Sequence, residues 1–226
     1  MKITGLQQRL LADVVAIGSP YPLVLTGGYA VQAHGLVDRF SEDLDLATES
    51  PAPMEGIAAA LQRGLTERSW RVRAVETTPL SARMVVTEAP TGAECEVDVF
   101  KETMAHPPLQ TAYGPVLALD DVVGTKVRAL AARGYPRDLV DVHAAFASGR
   151  WSRVEVEELG RAHAGDAFDL GELRARLDGA EWTDDREFAA YGLDEEQIAG
   201  LRRWAQEWAD DIGERLLEEA PYEDEE

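Results

Sequence analysis

The sequence predicts an α+β fold, with strands and helices in the first half of the chain and helices alone after it. Three segments of alternating apolar and polar residues, at 70–76, 82–88 and 94–100, have the period of half-buried β-strands. From about residue 117 the apolar residues recur at helical spacing instead. At 226 residues and 45% hydrophobic, the chain is long enough to bury a full core.

The elements that precede or separate these strands are predicted from short apolar runs and from glycine or proline breaks. Helices are predicted over 3–17, 29–34 and 54–66, and strands over 23–25 and 40–47. The strand at 23–25 is apolar throughout, so we expect it to be buried.

The second half of the chain is predicted to be helical and to form its own core. Asp120 or Asp121 caps a helix that ends near Gly134, and Pro136 begins the next helix. A long helix follows over roughly 194–219. Four of the five tryptophans lie beyond residue 150, and such large apolar side chains indicate a separately packed region.

We expect a core domain over residues 1–118, a helical domain over 119–220 and an acidic disordered tail over 221–226.

The net charge of −20 is divided unevenly, because residues 1–150 contain 14 basic and 18 acidic residues whereas residues 151–226 contain 8 basic and 24 acidic residues. Nucleic-acid-binding proteins usually have a basic face. The charge of the whole chain therefore argues against tight binding of RNA.

Composition excludes several classes of protein. A single cysteine, Cys95, excludes an internal disulfide and a multi-cysteine zinc site. We expect Cys95 to point into the core, which argues against nucleophilic catalysis by its thiol. No apolar stretch approaches the roughly 20 residues of a membrane span, and the N-terminal segment lacks the apolar centre of a signal peptide. We therefore expect a cytoplasmic protein with no membrane partner.

A glycine pair and two carboxylates form the most informative pattern. Gly27 and Gly28 follow the first predicted strand, and Asp43 and Asp45 lie at i and i+2 in the second, where side chains share one face. Adjacent carboxylates repel each other unless a cation lies between them. The glycines allow close approach to the backbone, and the start of the next helix favours an anion. The pattern predicts a triphosphate site beside Mg²⁺, which indicates nucleotidyl transfer.

The strand at 94–100 offers a third carboxylate, because Glu94, Glu96 and Asp98 lie on one of its faces. Asp98 is favoured since it lies deepest in the apolar stretch, and Glu96 is the alternative. Together with the aspartate pair, this residue would hold two metal ions about 4 Å apart, an arrangement that neutralises phosphate charge and activates an attacking hydroxyl.

Five further residues are candidates for binding or catalysis. Lys126 lies on a predicted helix from which it could reach a triphosphate, or it could lie at the surface. Asp138 and Asp141 share a helix face and could orient Lys126 or the acceptor, although Asp138 would also stabilise the first turn of its helix without any function. Arg39 could contact phosphate or pair with a site carboxylate, and Ser41 could line the nucleotide site or serve as a turn residue.

These residues resemble the AbiEii/AbiGii nucleotidyltransferase toxins, a family that includes the MenT toxins. The first matching segment is Thr26-Gly27-Gly28-Tyr29-Ala30-Val31, followed by Arg39-Phe40-Ser41-x-Asp43-Leu44-Asp45. The second is Lys126-x-x-Ala129-Leu130-x-x-Arg133, followed by Arg137-Asp138-Leu139-x-Asp141. The resemblance covers about residues 20–145.

The resemblance implies a DNA polymerase β-like nucleotidyltransferase core, with a mixed sheet and flanking helices, and a C-terminal helical domain that closes the active-site cleft. It implies that Asp43 and Asp45 bind metal and that Lys126 and Asp138 are catalytic. Characterised relatives use nucleoside triphosphates with Mg²⁺, some add nucleotides to tRNA 3′ ends, and a cognate antitoxin restrains them. In one such system the antitoxin phosphorylates the serine corresponding to Ser41, which would add about two negative charges beside the metal.

Two other functions stay open at the level of the sequence. An antibiotic nucleotidyltransferase of the aminoglycoside type shares the Gly-Gly and Asp-x-Asp patterns but commonly carries His at the position of Ser41. The acidic C-terminal region favours this alternative, because it would attract a polycationic drug. The other alternative is a non-catalytic module that binds a nucleotide or a protein, against which the intact Asp43, Asp45, Asp98 and Lys126 argue.

Overall fold

Apolar stripes on the helices and alternating apolar positions on the strands generate the elements of the structure. The computed structural model describes residues 2–219. The elements up to residue 116 are α1 (Gly5–Ile17), β1 (Val24–Leu25), α2 (Gly27–Ala33), β2 (Leu44–Thr48), α3 (Met54–Glu67), β3 (Trp70–Thr77), β4 (Ser81–Glu88), β5 (Glu94–Lys101), β6 (Leu109–Thr111) and β7 (Gly114–Val116). The later elements are α4 (Leu119–Arg133), α5 (Pro136–Ala147), α6 (Arg153–Ala164), α7 (Leu170–Asp178), α8 (Asp185–Ala189) and α9 (Glu195–Glu219).

The strands form one mixed seven-stranded sheet in the order β3-β4-β5-β2-β1-β7-β6. β2 runs parallel to β5 and β1 parallel to β7, while the other neighbours are antiparallel. A core cluster joins the apolar face of β2, β4 and β5 to α1 and α3. The alternation of side chains then places Asp45, Arg83 and Asp98, which are cross-strand partners, together on the opposite face.

The predicted α+β class is confirmed, and the three alternating segments are β3, β4 and β5. The second predicted strand starts at Leu44 and not at residue 40, because the carbonyls of Ser41 and Glu42 accept hydrogen bonds from side chains. The hairpin of β6 and β7 was not predicted, since strands of three residues are too short to show alternation.

The chain divides into two compact units with a boundary between Val122 and Val123, inside α4. The first unit contains the whole sheet. The second is helical and has its own core, in which the rings of Trp204 and Trp208 lie 5.3 Å apart. The predicted domains 1–118 and 119–220 stay a prediction, and the predicted tail lies outside the described residues.

A buried carboxylate joins two helices of the second unit. Glu157 on α6 is 3% exposed, and one of its oxygens accepts a hydrogen bond from the indole nitrogen of Trp208 on α9 at 2.8 Å. The guanidinium of Arg215 donates to both carboxylate oxygens, at 2.9 and 2.6 Å. Removal of this carboxylate would leave a buried indole N–H without its acceptor.

We expect Glu157→Ala to lower the free energy of unfolding by about 2–4 kcal/mol, the usual cost of breaking a buried charged hydrogen-bond network. Urea unfolding followed by circular dichroism measures this. The matched control is Glu158→Ala, which removes an exposed carboxylate from the next position and should change stability by less than about 0.5 kcal/mol. Equal effects of the two substitutions would contradict the role given to Glu157.

Candidate active site

The turn between β1 and α2 packs directly against the side chain of Asp45. Gly27 has a φ of +60°, and a Cβ at this position would lie 1.8 Å from Oδ2 of Asp45. The backbone N–H of Thr26 donates to the Asp45 carbonyl oxygen at 2.9 Å, which extends the pairing of β1 with β2. Any residue but glycine here would be strained and would displace the Asp45 carboxylate.

Gly28 makes a similar approach to the segment that precedes β2. A Cβ at this position would lie 2.6 Å from Oγ of Ser41 and 3.7 Å from Nη1 of Arg39. The structure therefore brings Gly27, Gly28, Arg39, Ser41 and Asp45 together. The backbone of the two glycines therefore lies against the side chains of the other three residues.

Two buried side chains that the sequence analysis missed hold the segment containing Ser41. Nε2 of Gln7, on α1, donates to the carbonyl oxygens of Ser41 and Glu42, both at 2.9 Å. The hydroxyl of Tyr29, on α2, donates to the Ser41 carbonyl oxygen at 2.9 Å. The capping box between Thr4 and Gln7 is a sequence signal for Gln7, but it says nothing about contacts more than thirty residues away.

Asp43 lies immediately before β2, and its charge acts on two buried groups. Burial, together with the charge of Asp43, raises the pKa of the Cys95 thiol to about 12. Burial is also the main cause that raises the pKa of the Tyr29 hydroxyl, and the neighbouring Cys95 and Asp43 raise it further. Cys95 is only 4% exposed. It is therefore a neutral core thiol, as expected, and a poor nucleophile.

The predicted third carboxylate is bound to an arginine. Asp98 lies opposite Asp45 in the parallel register of β5 with β2, and opposite Arg83 in the register of β5 with β4. Arg83 donates from Nε to Oδ1 of Asp98 at 2.9 Å and from Nη2 to Oδ2 at 2.7 Å. Its Nε also lies 3.3 Å from Oε1 of Glu96, the alternative ligand. The hydrogen bonds to Asp98 raise the pKa of Arg83, so its guanidinium stays charged.

The carboxylates before and on β2 fit a divalent cation. Asp43 and Asp45 offer the hard oxygen ligands that Mg²⁺ prefers, and Mg²⁺ usually takes its remaining ligands from water and substrate phosphates. The backbone of Gly27 lies directly against the Asp45 carboxylate, so a phosphate bound to that backbone would lie next to the carboxylate. Within residues 2–219, no group of three or more His, Cys, Asp or Glu side chains is placed to hold a metal ion.

In the second unit, Lys126 on α4 lies between two buried aspartates of α5. Its Nζ is 2.9 Å from Oδ2 of Asp141 and 3.5 Å from Oδ1 of Asp138. Arg133 donates to both oxygens of Asp138, at 2.8 and 3.1 Å. Lys126 is 8% exposed and the two aspartates at most 1%. The structure thus groups the predicted residues Lys126, Asp138 and Asp141 with Arg133. The sequence analysis named Arg133 only as part of the motif that resembles the family.

Two solved structures share this fold over most of the chain. JHP933 from Helicobacter pylori is 17% identical, with a TM-score of 0.54, and the match covers 96% of this chain and 97% of that chain. MenT4, a nucleotidyltransferase toxin from Mycobacterium tuberculosis, is 16% identical, with a TM-score of 0.60, covering 91% and 82%. At these identities the likeness establishes the fold, which is that of nucleotidyltransferase toxins.

A protein-family model identifies the family of this chain. The model for the nucleotidyl transferase AbiEii toxin of type IV toxin–antitoxin systems matches residues 9–212. The chain therefore belongs to the AbiEii family and is a nucleotidyltransferase toxin, which confirms the resemblance seen in its sequence. Among curated proteins, no sequence matches the chain. No helix within residues 2–219 is both long and apolar enough to span a membrane.

We expect Gly27→Ala to reduce nucleotidyl transfer at least 100-fold, because the new Cβ would push aside the Asp45 carboxylate and strain the backbone by about 1–3 kcal/mol. Transfer of labelled nucleotide measures this. The control is Gly56→Ala on α3, where a Cβ meets nothing within 4 Å and alanine favours the helix. Full activity of the Gly27→Ala variant would contradict the close approach of Gly27 to the Asp45 carboxylate.

The raised pKa of Cys95 makes stability depend on alkaline pH. In the unfolded chain the thiol loses its proton near pH 9, whereas in the folded protein it keeps the proton up to about pH 12. The unfolded state therefore binds fewer protons above pH 9, and stability that is full below pH 9 is lost as the pH rises. Between pH 9 and 10, wild type should lose up to about 1.4 kcal/mol more than Cys95→Ala in urea unfolding. Parallel pH profiles would contradict the assignment.

Proposed function

We propose that this toxin transfers a nucleotide from a nucleoside triphosphate, with Mg²⁺, to the 3′ end of tRNA, and that a cognate antitoxin restrains it. The observation that carries the proposal is the approach of Gly27 to Asp45 and of Gly28 to Ser41, which places backbone without side chains next to one of the two aspartates. The family supports the reaction class and the antitoxin. The tRNA acceptor comes from the resemblance to characterised relatives.

In this proposal Asp43 and Asp45 hold Mg²⁺, and the backbone of Gly27 and Gly28 holds the triphosphate. Mg²⁺ would neutralise phosphate charge and favour deprotonation of the attacking hydroxyl. The hydrogen bonds to the Ser41 carbonyl fix the segment that faces Gly28 before any substrate arrives. Such preorganisation lowers the entropic cost of aligning the reacting groups.

Four further side chains have proposed roles in binding the substrates. Arg39 lies near Gly28 and would contact a phosphate as a fixed cation. Lys126 would supply a second positive charge for the triphosphate. Asp138 and Asp141 would fix the direction of its ammonium group, since both carboxylates contact it and are buried. An ammonium held in this way loses less freedom when it binds a phosphate.

Ser41 is also a candidate point of control by the antitoxin. Its Oγ faces the backbone of Gly28, at the position where a Cβ would lie within 2.6 Å. A phosphate on this oxygen would fill the space assigned to the triphosphate. It would also add about two negative charges close to Asp43 and Asp45.

One observation favours an aminoglycoside over tRNA as the acceptor of the nucleotide. The 24 acidic residues among residues 151–226, against 8 basic ones, would attract a polycationic aminoglycoside more readily than RNA. The acceptor is therefore the part of the proposal that an experiment must decide directly.

The test incubates purified protein with Mg²⁺ and each α-labelled nucleoside triphosphate in turn, with total tRNA or a panel of aminoglycosides as acceptor. We expect label on tRNA, and we expect Asp43→Ala to reduce transfer at least about 1,000-fold, since metal-assisted charge stabilisation contributes several kcal/mol. Glu42→Ala is the control, because it removes an exposed carboxylate from the adjacent position. Label on the drug alone, or transfer that survives Asp43→Ala, would contradict the proposal.

A further inference from the structure

We infer that the site holds a single divalent cation, at Asp43 and Asp45, and that Arg83 occupies the place that a second cation would need at Asp98. The inference rests on the proposed nucleotidyl transfer and concerns how that site is neutralised. It replaces the expected pair of metal ions by one ion and one arginine of the chain itself.

The register of the sheet fixes where a second ion would have to bind. Asp45 on β2, Asp98 on β5 and Arg83 on β4 are successive cross-strand partners, so they form one row on the same face. Directly paired side chains have Cβ atoms about 4.5–5.5 Å apart. An ion shared by Asp45 and Asp98 would lie in this row, next to the guanidinium of Arg83.

Both oxygens of Asp98 already accept hydrogen bonds from that guanidinium, at 2.9 and 2.7 Å. Bidentate pairs of arginine and carboxylate are among the stronger hydrogen-bonded contacts in proteins. The side chain of Asp98 is only 6% exposed, so an ion bound to its remaining lone pairs would lie against the Arg83 guanidinium. A divalent ion beside an undisplaced guanidinium would be repelled by it.

The alternative third ligand leads to the same conclusion. Glu96 lies two residues before Asp98 on the same strand face, and one of its oxygens is 3.3 Å from Nε of Arg83. Both carboxylates considered for the third ligand are therefore paired with the same arginine. Because guanidinium does not lose its proton in proteins, this positive charge is permanent. Arg83 acts as a positioning residue that keeps Asp98 beside Asp45 without a metal.

The experiment counts Mn²⁺ bound per chain in the presence of an equimolar mixture of the four α,β-methylene nucleoside triphosphates. Rapid filtration gives the number of ions per bound nucleotide. Electron paramagnetic resonance shows whether two ions are coupled, as expected when they lie about 4 Å apart. Wild type should bind one uncoupled ion.

Variants of Arg83 test whether this residue is the reason that only one ion binds. Arg83→Gln should bind two coupled ions, because Asp98 and Glu96 lose their cation. The triple variant Arg83→Gln/Glu96→Gln/Asp98→Asn should return to one. Arg73→Gln is the control, since Arg73 is an exposed arginine of β3 that lies on the same face of the sheet as Arg83. It should match wild type.

A coupled pair of ions in wild type overturns the inference even if every variant fails to fold, and so does a wild type that binds no Mn²⁺. One ion in a folded Arg83→Gln protein also overturns it. Labelling of tRNA by the same preparation separates the two proposals. One bound ion without labelling contradicts the proposed function alone, whereas labelling with two coupled ions contradicts the inference alone.

Discussion

The contact between the Gly27 backbone and the Asp45 carboxylate constrains β1, the turn that follows it and the register of β1 with β2. β1 has only two residues, both buried, and the pairs Val24–Ala47 and Leu25–Leu46 fix it against β2. That register continues into the turn and brings the glycine over the aspartate. If β1 moved by one residue, each side chain of β1 would turn to the other face, and the glycine would no longer meet the aspartate. The short strand is therefore part of the site.

The sheet separates apolar core side chains from charged side chains by alternation alone. Leu44 and Leu46 are fully buried in the core, while Asp45 between them faces the other way. Asp98 and Arg83 follow the same rule on the next two strands, so a row of charges crosses the sheet without entering the apolar core. The positions of these charges depend on the backbone ladder, which is more rigid than a loop.

The sequence was sufficient for the features that arise from local pattern. Alternation identified β3, β4 and β5, and the glycine pair marked the turn at Gly27. Long-range partners could not be found in this way. Nothing near Gln7 in sequence shows that it binds the backbone of Ser41, and nothing in β4 alone shows that Arg83 faces Asp98. Such contacts depend on the order of strands in the sheet, which periodicity does not specify.

In the proposed site the Gly27–Gly28 backbone would hold a triphosphate whose metal is bound by Asp43 and Asp45. Anomalous diffraction from crystals grown with Mn²⁺ and an α,β-methylene nucleoside triphosphate tests it most directly. We expect an anomalous peak about 2.1 Å from oxygens of both aspartates, with the phosphates against the glycine backbone. A peak elsewhere, or a triphosphate bound away from the glycine pair, would contradict it.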